Sequence, residues 1–173
     1  MVEGADFSLP HDTSSSTNSG TDMAIYTRDG QSWSASTKNT VCATVHGNPD
    51  VFQRAEEHFC GWVTQAENIW VSTKEQELLR VLCVDGRLCR MFIRMTLDFA
   101  FSEYEKKSLG QVCRSWFNSL QHNCPDGGGV AQAEVVTASG ETMGGRIEAS
   151  FNHNNQEACH SSDSRQCLAF SEL

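Results

Sequence analysis

No run of apolar residues in this chain approaches the roughly 18 needed to cross a bilayer, and the N-terminus lacks a charged segment followed by an apolar one. No membrane-spanning helix is expected, and the sequence reads as a soluble chain, already trimmed if it is secreted. Basic residues are scarce, 13 Lys+Arg against 22 Asp+Glu, for a formal net charge of −9. A negative field of this kind opposes binding to nucleic acid or anionic lipid through the whole surface, although a local basic patch is compatible with it. Signatures of common chemistry are also missing. There is no GxSxG elbow, no HExxH, no phosphate loop with lysine and no GxGxxG after a strand. The six histidines lack the paired spacing of a metal site. Glu56 and Glu57 are neighbours on a predicted helix and diverge, so they form no acid–base pair. No cofactor, metal or catalytic residue is implied, and the expectation is a non-enzymatic protein. A hydrolase or nuclease site assembled from distant positions would leave no local signature, and that alternative stays open.

What the chain does have is cysteine. Eight are present: Cys42, Cys60, Cys83, Cys89, Cys113, Cys124, Cys159 and Cys167. No CxxC pair occurs, whereas structural zinc sites use such short spacings to aim two thiolates at one ion. Even parity at this density points to disulfides and to an oxidising, extracellular compartment. Eight cysteines allow 105 complete pairings, and spacing does not choose among them.

Residues 1–22 are rich in serine, threonine and glycine and read as a flexible tail; 23–173 read as one disulfide-rich domain. Asp29-Gly30 suits a hairpin turn between two short extended runs, and the alternation of Val41, Ala43 and Val45 predicts a further strand. Asn48-Pro49-Asp50 opens a helix with Phe52, Ala55, Phe59 and Val63 along one stripe. ENIWVST, centred on Trp70 and Val71, is a short β candidate. In LLRVLCVDGRLCRMFIRMTLDFAF, Met91, Ile93, Met95 and Leu97 alternate with Arg90, Phe92, Arg94 and Thr96, which predicts a strand with one buried face. With a three-residue loop at Asp85-Gly86, Cys83 faces Cys89, and Leu79 and Val81 share the side of Met91 and Ile93; a two-residue loop breaks that register. Ser102 and Glu105 have capping-box spacing, and a second helix follows with Leu109, Val112, Cys113, Trp116, Phe117 and Leu120 as its stripe. Cys113 on that stripe points towards the core or the first helix. Pro125 and the flexible run Gly127 to Gly129 stop the helix. AEVVTAS and GRIEASF give further strands, and a polar tail follows that holds Cys159 and Cys167 and has too few apolar residues to dock unaided. Helices separated by antiparallel strand pairs predict an α+β fold, a split βαβ sandwich with two helices on one face of an antiparallel sheet and disulfide staples across it.

Met91, Ile93 and Met95 facing inward place Arg90 and Arg94 on the outer face, with Arg80 on the paired strand and Arg87 at the turn. These four are the candidate contact for an anionic target. Trp33, Trp62, Trp70 and Trp116 are the aromatic candidates of a second alternative, a carbohydrate-binding module.

The run VCRSWFNSLQHNCPDGGG, followed after a spacer by GGRIEASFN, resembles the C-terminal half of small cysteine-rich proteins secreted by fungi. It is similar to the smut-fungus killer toxins and related secreted effector domains, which have α/β-sandwich folds of the split βαβ kind. The resemblance covers Val112 to about Asn152. It implies secretion, disulfides, and action by binding a host or competitor protein or cell-surface target, and it transfers no functional residue to this chain.

Overall fold

The structure, a computed structural model, describes residues 23–26, 32–65, 73–98, 106–153 and 159–173. In chain order these form β1 (Met23–Tyr26), β2 (Ser32–Cys42), α1 (Pro49–Gln65), β3 (Thr73–Leu82), β4 (Leu88–Leu97), α2 (Lys106–Asn123), β5 (Gly128–Val136), β6 (Thr142–Asn152) and β7 (Arg165–Ala169), closed by a 3₁₀ turn at Phe170–Glu172. The strands make one seven-stranded sheet in the order β1-β2-β5-β6-β4-β3-β7. Every neighbouring pair is antiparallel except β3 and β7. Since β4 and β5 run the same way with β6 between them, β4-α2-β5 is a split βαβ unit, and β2-α1-β3 brackets it. The predicted α+β class and sandwich are therefore observed.

Both helices form as their sequences dictate. Asn48 accepts a 2.9 Å hydrogen bond from the Asp50 backbone N–H and caps α1. Phe52, Ala55, Phe59 and Val63 on α1, and Leu109, Val112, Trp116, Phe117 and Leu120 on α2, are buried against Met91, Ile93, Met95, Ala131, Ala133, Ile147 and Ala149 of the sheet. Phe59 and Phe117 meet edge to face at 5.6 Å, an arrangement that satisfies the ring quadrupoles at the join between the helices. All eight cysteines are bridged: Cys42–Cys124, Cys60–Cys113, Cys83–Cys89 and Cys159–Cys167. Cys113 thus does point at the first helix, and α1 is stapled to α2.

Four expectations need correction. Of the strand expected around Val41, Ala43 and Val45, only Val41 lies in a strand, at the end of β2, which runs from Ser32 and stops at Cys42; a bulge between Lys38 and Val41, with Asn39 at φ 52°, turns Val41 outward. Leu79 does not share the side of Met91, because Arg80 at φ 60° sits in a second bulge, so that Leu78 opposes Met91 and Val81 opposes Cys89. The three glycines are not a slack helix stop. Gly128, at φ 75°, opens β5, and a Cβ on Gly129 would lie 2.1 Å from the Val41 carbonyl oxygen, so β5 starts where only glycine fits between β2 and β6. The polar tail docks as a strand: β7 pairs with β3 along Glu75 to Leu79, and Arg54 on α1 stacks on Phe170 beyond it. The tail at 1–22, the turn at Asp29-Gly30, the strand candidate centred on Trp70 and the capping box at Ser102 lie outside the described residues.

Candidate functional site

The face of the sheet that the helices leave open holds charge in register. Strand alternation turns Arg94 away from the core between Ile93 and Met95, and the pairing sets Glu75 and Glu148 directly opposite it on β3 and β6. Arg165 on β7 stands opposite Glu75. Reading across four strands, Arg165, Glu75, Arg94 and Glu148 alternate in sign. Arg94 Nε donates to Glu75 Oε2 at 2.6 Å, Arg165 reaches Glu75 Oε1 at 2.8 Å, and Glu148 is 3.6 Å from Arg94. The next row holds Thr73, Thr96, Arg146, Gln132 and Lys38. Between the two rows lies a cavity of about 320 Å³ lined by Thr73, Glu75, Arg94, Thr96, Arg146, Ile147, Glu148, Ser164 and Arg165. The turn before β7 walls its outer side.

Beyond Glu75 the same face closes over. Arg90 and Glu77 are an ion pair whose side chains are 4% and 1% exposed. The Cys159–Cys167 bridge lies against the Glu77 carboxylate, its ligand atoms within 4.8 Å. The opposite end of the hairpin is open. Leu82, Val84 and Leu88 are 57%, 66% and 48% exposed around the tip that Cys83–Cys89 closes. Cys83 N–H donates to the Arg87 carbonyl at 2.9 Å and Gly86 N–H to the Cys83 carbonyl at 2.9 Å, so the turn is fixed by its own backbone. Asp85 accepts from the Arg87 N–H, which holds its carboxyl below the ordinary carboxylate value.

The four arginines singled out by alternation separate in space. Arg80 and Arg87 are exposed at the tip, the latter paired with Asp85 at 2.8 Å; Arg90 is buried against Glu77; Arg94 lines the cavity. Sequence reasoning missed Arg146 and Glu148, although the inward alternation of Ile147, Ala149 and Phe151 turns both outward on β6. Arg165 and Glu75 carried no such signal.

Among the described residues, the one strongly displaced acid lies elsewhere. Burial on α1, with Glu57 beside it, pushes the Glu56 carboxyl up to about 8, against a smaller opposing pull from Arg114 on α2. Among the described residues two groups bring cysteine near a further donor, Cys83 and Cys89 with His153 and Cys159 and Cys167 with Glu77, but these sulfurs are bonded to one another and offer no thiolate for a metal. No helix of the described residues is long and apolar enough to cross a membrane. No protein-family model matches the chain, and no curated protein or solved structure shows significant similarity to it.

Proposed function

We propose that the chain is a secreted, non-enzymatic binding protein of the effector or killer-toxin kind, and that it docks on a host or competitor target through the tip of the β3–β4 hairpin. The observation that carries the reading is the tip itself. Three of the four large hydrophobics exposed among the described residues, Leu82, Val84 and Leu88, stand on this one short turn. A disulfide and two backbone hydrogen bonds hold it rigid, so little conformational freedom is lost on docking. Aliphatic side chains clustered in this way favour a partner that removes them from water, and Arg80 near them, with Arg87 already paired to Asp85, favours one with an apolar hollow and an acidic rim.

Four disulfides suit an oxidising medium, and each bridge across a long loop contributes about 2–4 kcal/mol by restricting the unfolded chain. The hydrolase alternative has less support. Glu75 and Glu148 are engaged by guanidinium groups, and Glu56, the displaced acid, does not line the cavity on the sheet. A carbohydrate-binding module built on tryptophan is disfavoured too, because Trp33 and Trp116 are buried and Trp62 packs against the core; Trp70 lies outside the described residues.

Replacing Leu82 and Leu88 by serine tests the reading. Both side chains are exposed, so stability is expected to change by only about 0.5 kcal/mol per site. Binding of labelled protein to cells that take up the wild type is expected to fall by roughly tenfold or more, and undiminished binding rejects the hairpin as the contact. Mass measurement of protein from its natural source, alkylated with and without reductant, is expected to show protected thiols; eight free thiols would end the extracellular reading.

A further inference from the structure

The cavity on the open face of the sheet is a candidate separate from the hairpin tip, resting on its own observations. Its lining carries three arginines against two glutamates, so the cavity holds one net positive charge inside a protein whose formal net charge is −9. The three cations are not equivalent. Arg94 and Arg165 are both engaged by Glu75. Arg146 is exposed at the rim and makes no ion pair with any described residue. Arg146 is therefore the donor left for a ligand, and its planar fork matches a carboxylate in bidentate fashion.

The remainder of the lining narrows the ligand further. Thr73 and Thr96 share a 2.8 Å hydrogen bond that leaves one hydroxyl proton free, and Ser164 adds another hydroxyl. Glu148 is held only at 3.6 Å by Arg94, which leaves its lone pairs open to hydroxyl donors. Only Ile147 is apolar, so an apolar side chain finds little to bury against here. A dianion such as phosphate brings its second charge up to Glu75 or Glu148. What matches is one carboxylate on a body rich in hydroxyls, and about 320 Å³ accommodates a sugar ring of that kind.

We propose that this cavity binds a uronic-acid sugar, the acidic unit of a surface polysaccharide, with Arg146 taking its carboxylate and Glu148, Thr73, Thr96 and Ser164 meeting its hydroxyls. The proposal does not depend on the hairpin reading. Either can fail while the other stands.

The test is titration of the full oxidised chain with a short oligogalacturonate, followed by calorimetry and by backbone amide NMR. Saturable binding is expected, with shifts centred on Thr96, Arg146 and Ser164. Arg146→Ala is expected to weaken it roughly tenfold or more, the loss of a charge-assisted hydrogen bond; Arg146→Lys is expected to weaken it less. The same oligosaccharide with its carboxylates reduced to alcohols is expected to bind no better than the Ala variant, and Leu88→Ser at the hairpin is expected to bind like the wild type. Equal binding of the reduced oligosaccharide overturns the proposal. So does displacement of the sugar acid by a lower concentration of inorganic phosphate or of a peptide C-terminal carboxylate, shifts centred elsewhere, or absence of saturable binding.

Discussion

The two faces of the sheet are built from the same strands and solve opposite problems. On the covered face, Met91, Ile93, Met95, Ala149 and Ile147 meet two helices, and burial of apolar surface supplies the stability. On the open face the residues between them, Arg90, Arg94, Glu148 and their partners Glu75 and Glu77, are arranged as ion pairs, several of them also buried. A buried ion pair adds little net stability over an apolar pair of the same shape, because both groups lose their hydration, yet leaving one partner alone is strongly unfavourable. The covered face therefore makes the protein stable, whereas the open face makes one strand register preferable to its neighbours. A slip by one residue between β4 and β6 would set Arg94 opposite Ile147 or Ala149 in place of Glu148 and turn the apolar set of the slipped strand outward.

The comparison is sharpest at Arg90 and Trp116. Trp116→Ala removes a fully buried ring, and Arg90→Met strands the Glu77 carboxylate; each is expected to lower stability by about 3–5 kcal/mol in denaturant melts. Adding Glu77→Leu to Arg90→Met is expected to recover most of the second loss, while no partner substitution recovers the first. Recovery at neither site would mean that Arg90 does more than pair.

Glu56 brings an ionisable group into the helix layer, and its effect is next in size. Its folded value of about 8 exceeds the ordinary 4.5, so the folded state holds a proton that the unfolded state has released between those values. Stability from this group is full below pH 4.5, declines as pH rises towards 8 and is level above it. Glu56→Gln is expected to remove that decline and to exceed the wild type at pH 9 by an amount on the order of 4 kcal/mol, read from melts at several pH values. Parallel pH profiles for the two proteins would contradict the assignment.

Lys38 and Glu134 form the exposed counterpart of the Arg90–Glu77 pair, with side chains 52% and 31% exposed. Lys38→Ala is expected to change stability by less than about 1 kcal/mol, and the change should shrink further in salt. A loss as large as that at Arg90 would erase the distinction between buried and solvated pairs drawn here.

How much of this was legible in the sequence follows from where the pattern is strong. The stripes of α1 and α2 and the alternation of β4 each put apolar residues at a single period, and the helices, β4 and its inward face all stand where that period puts them. The first half of β3 gave no such signal. In TKEQE both faces are polar, Lys74 and Gln76 facing in and Glu75 and Glu77 facing out, although all four are buried. Gln76 is accommodated because its amide donates to Gln166 Oε1 at 2.6 Å and bonds the His58 ring, contacts that exist only once β7 and α1 are in place. The cavity was illegible for a related reason. Glu75 and Arg165 are distant in the chain and become neighbours only through a parallel pairing that no local pattern announces. Arg146 was within reach of the alternation of β6, but the significance of its lacking a carboxylate depends on its neighbours' engagements.

Because β7 lies along the outside of β3, the backbone donors and acceptors of that strand are taken up within the molecule. Reducing Cys159–Cys167 is expected to free the loop that leads into β7 and to loosen its hold on this flank. A long strand stripped of its neighbour is a template on which another chain adds. The Cys159–Cys167 bridge is thus expected to help keep β3 covered, at the flank where β7 is the sheet's last strand.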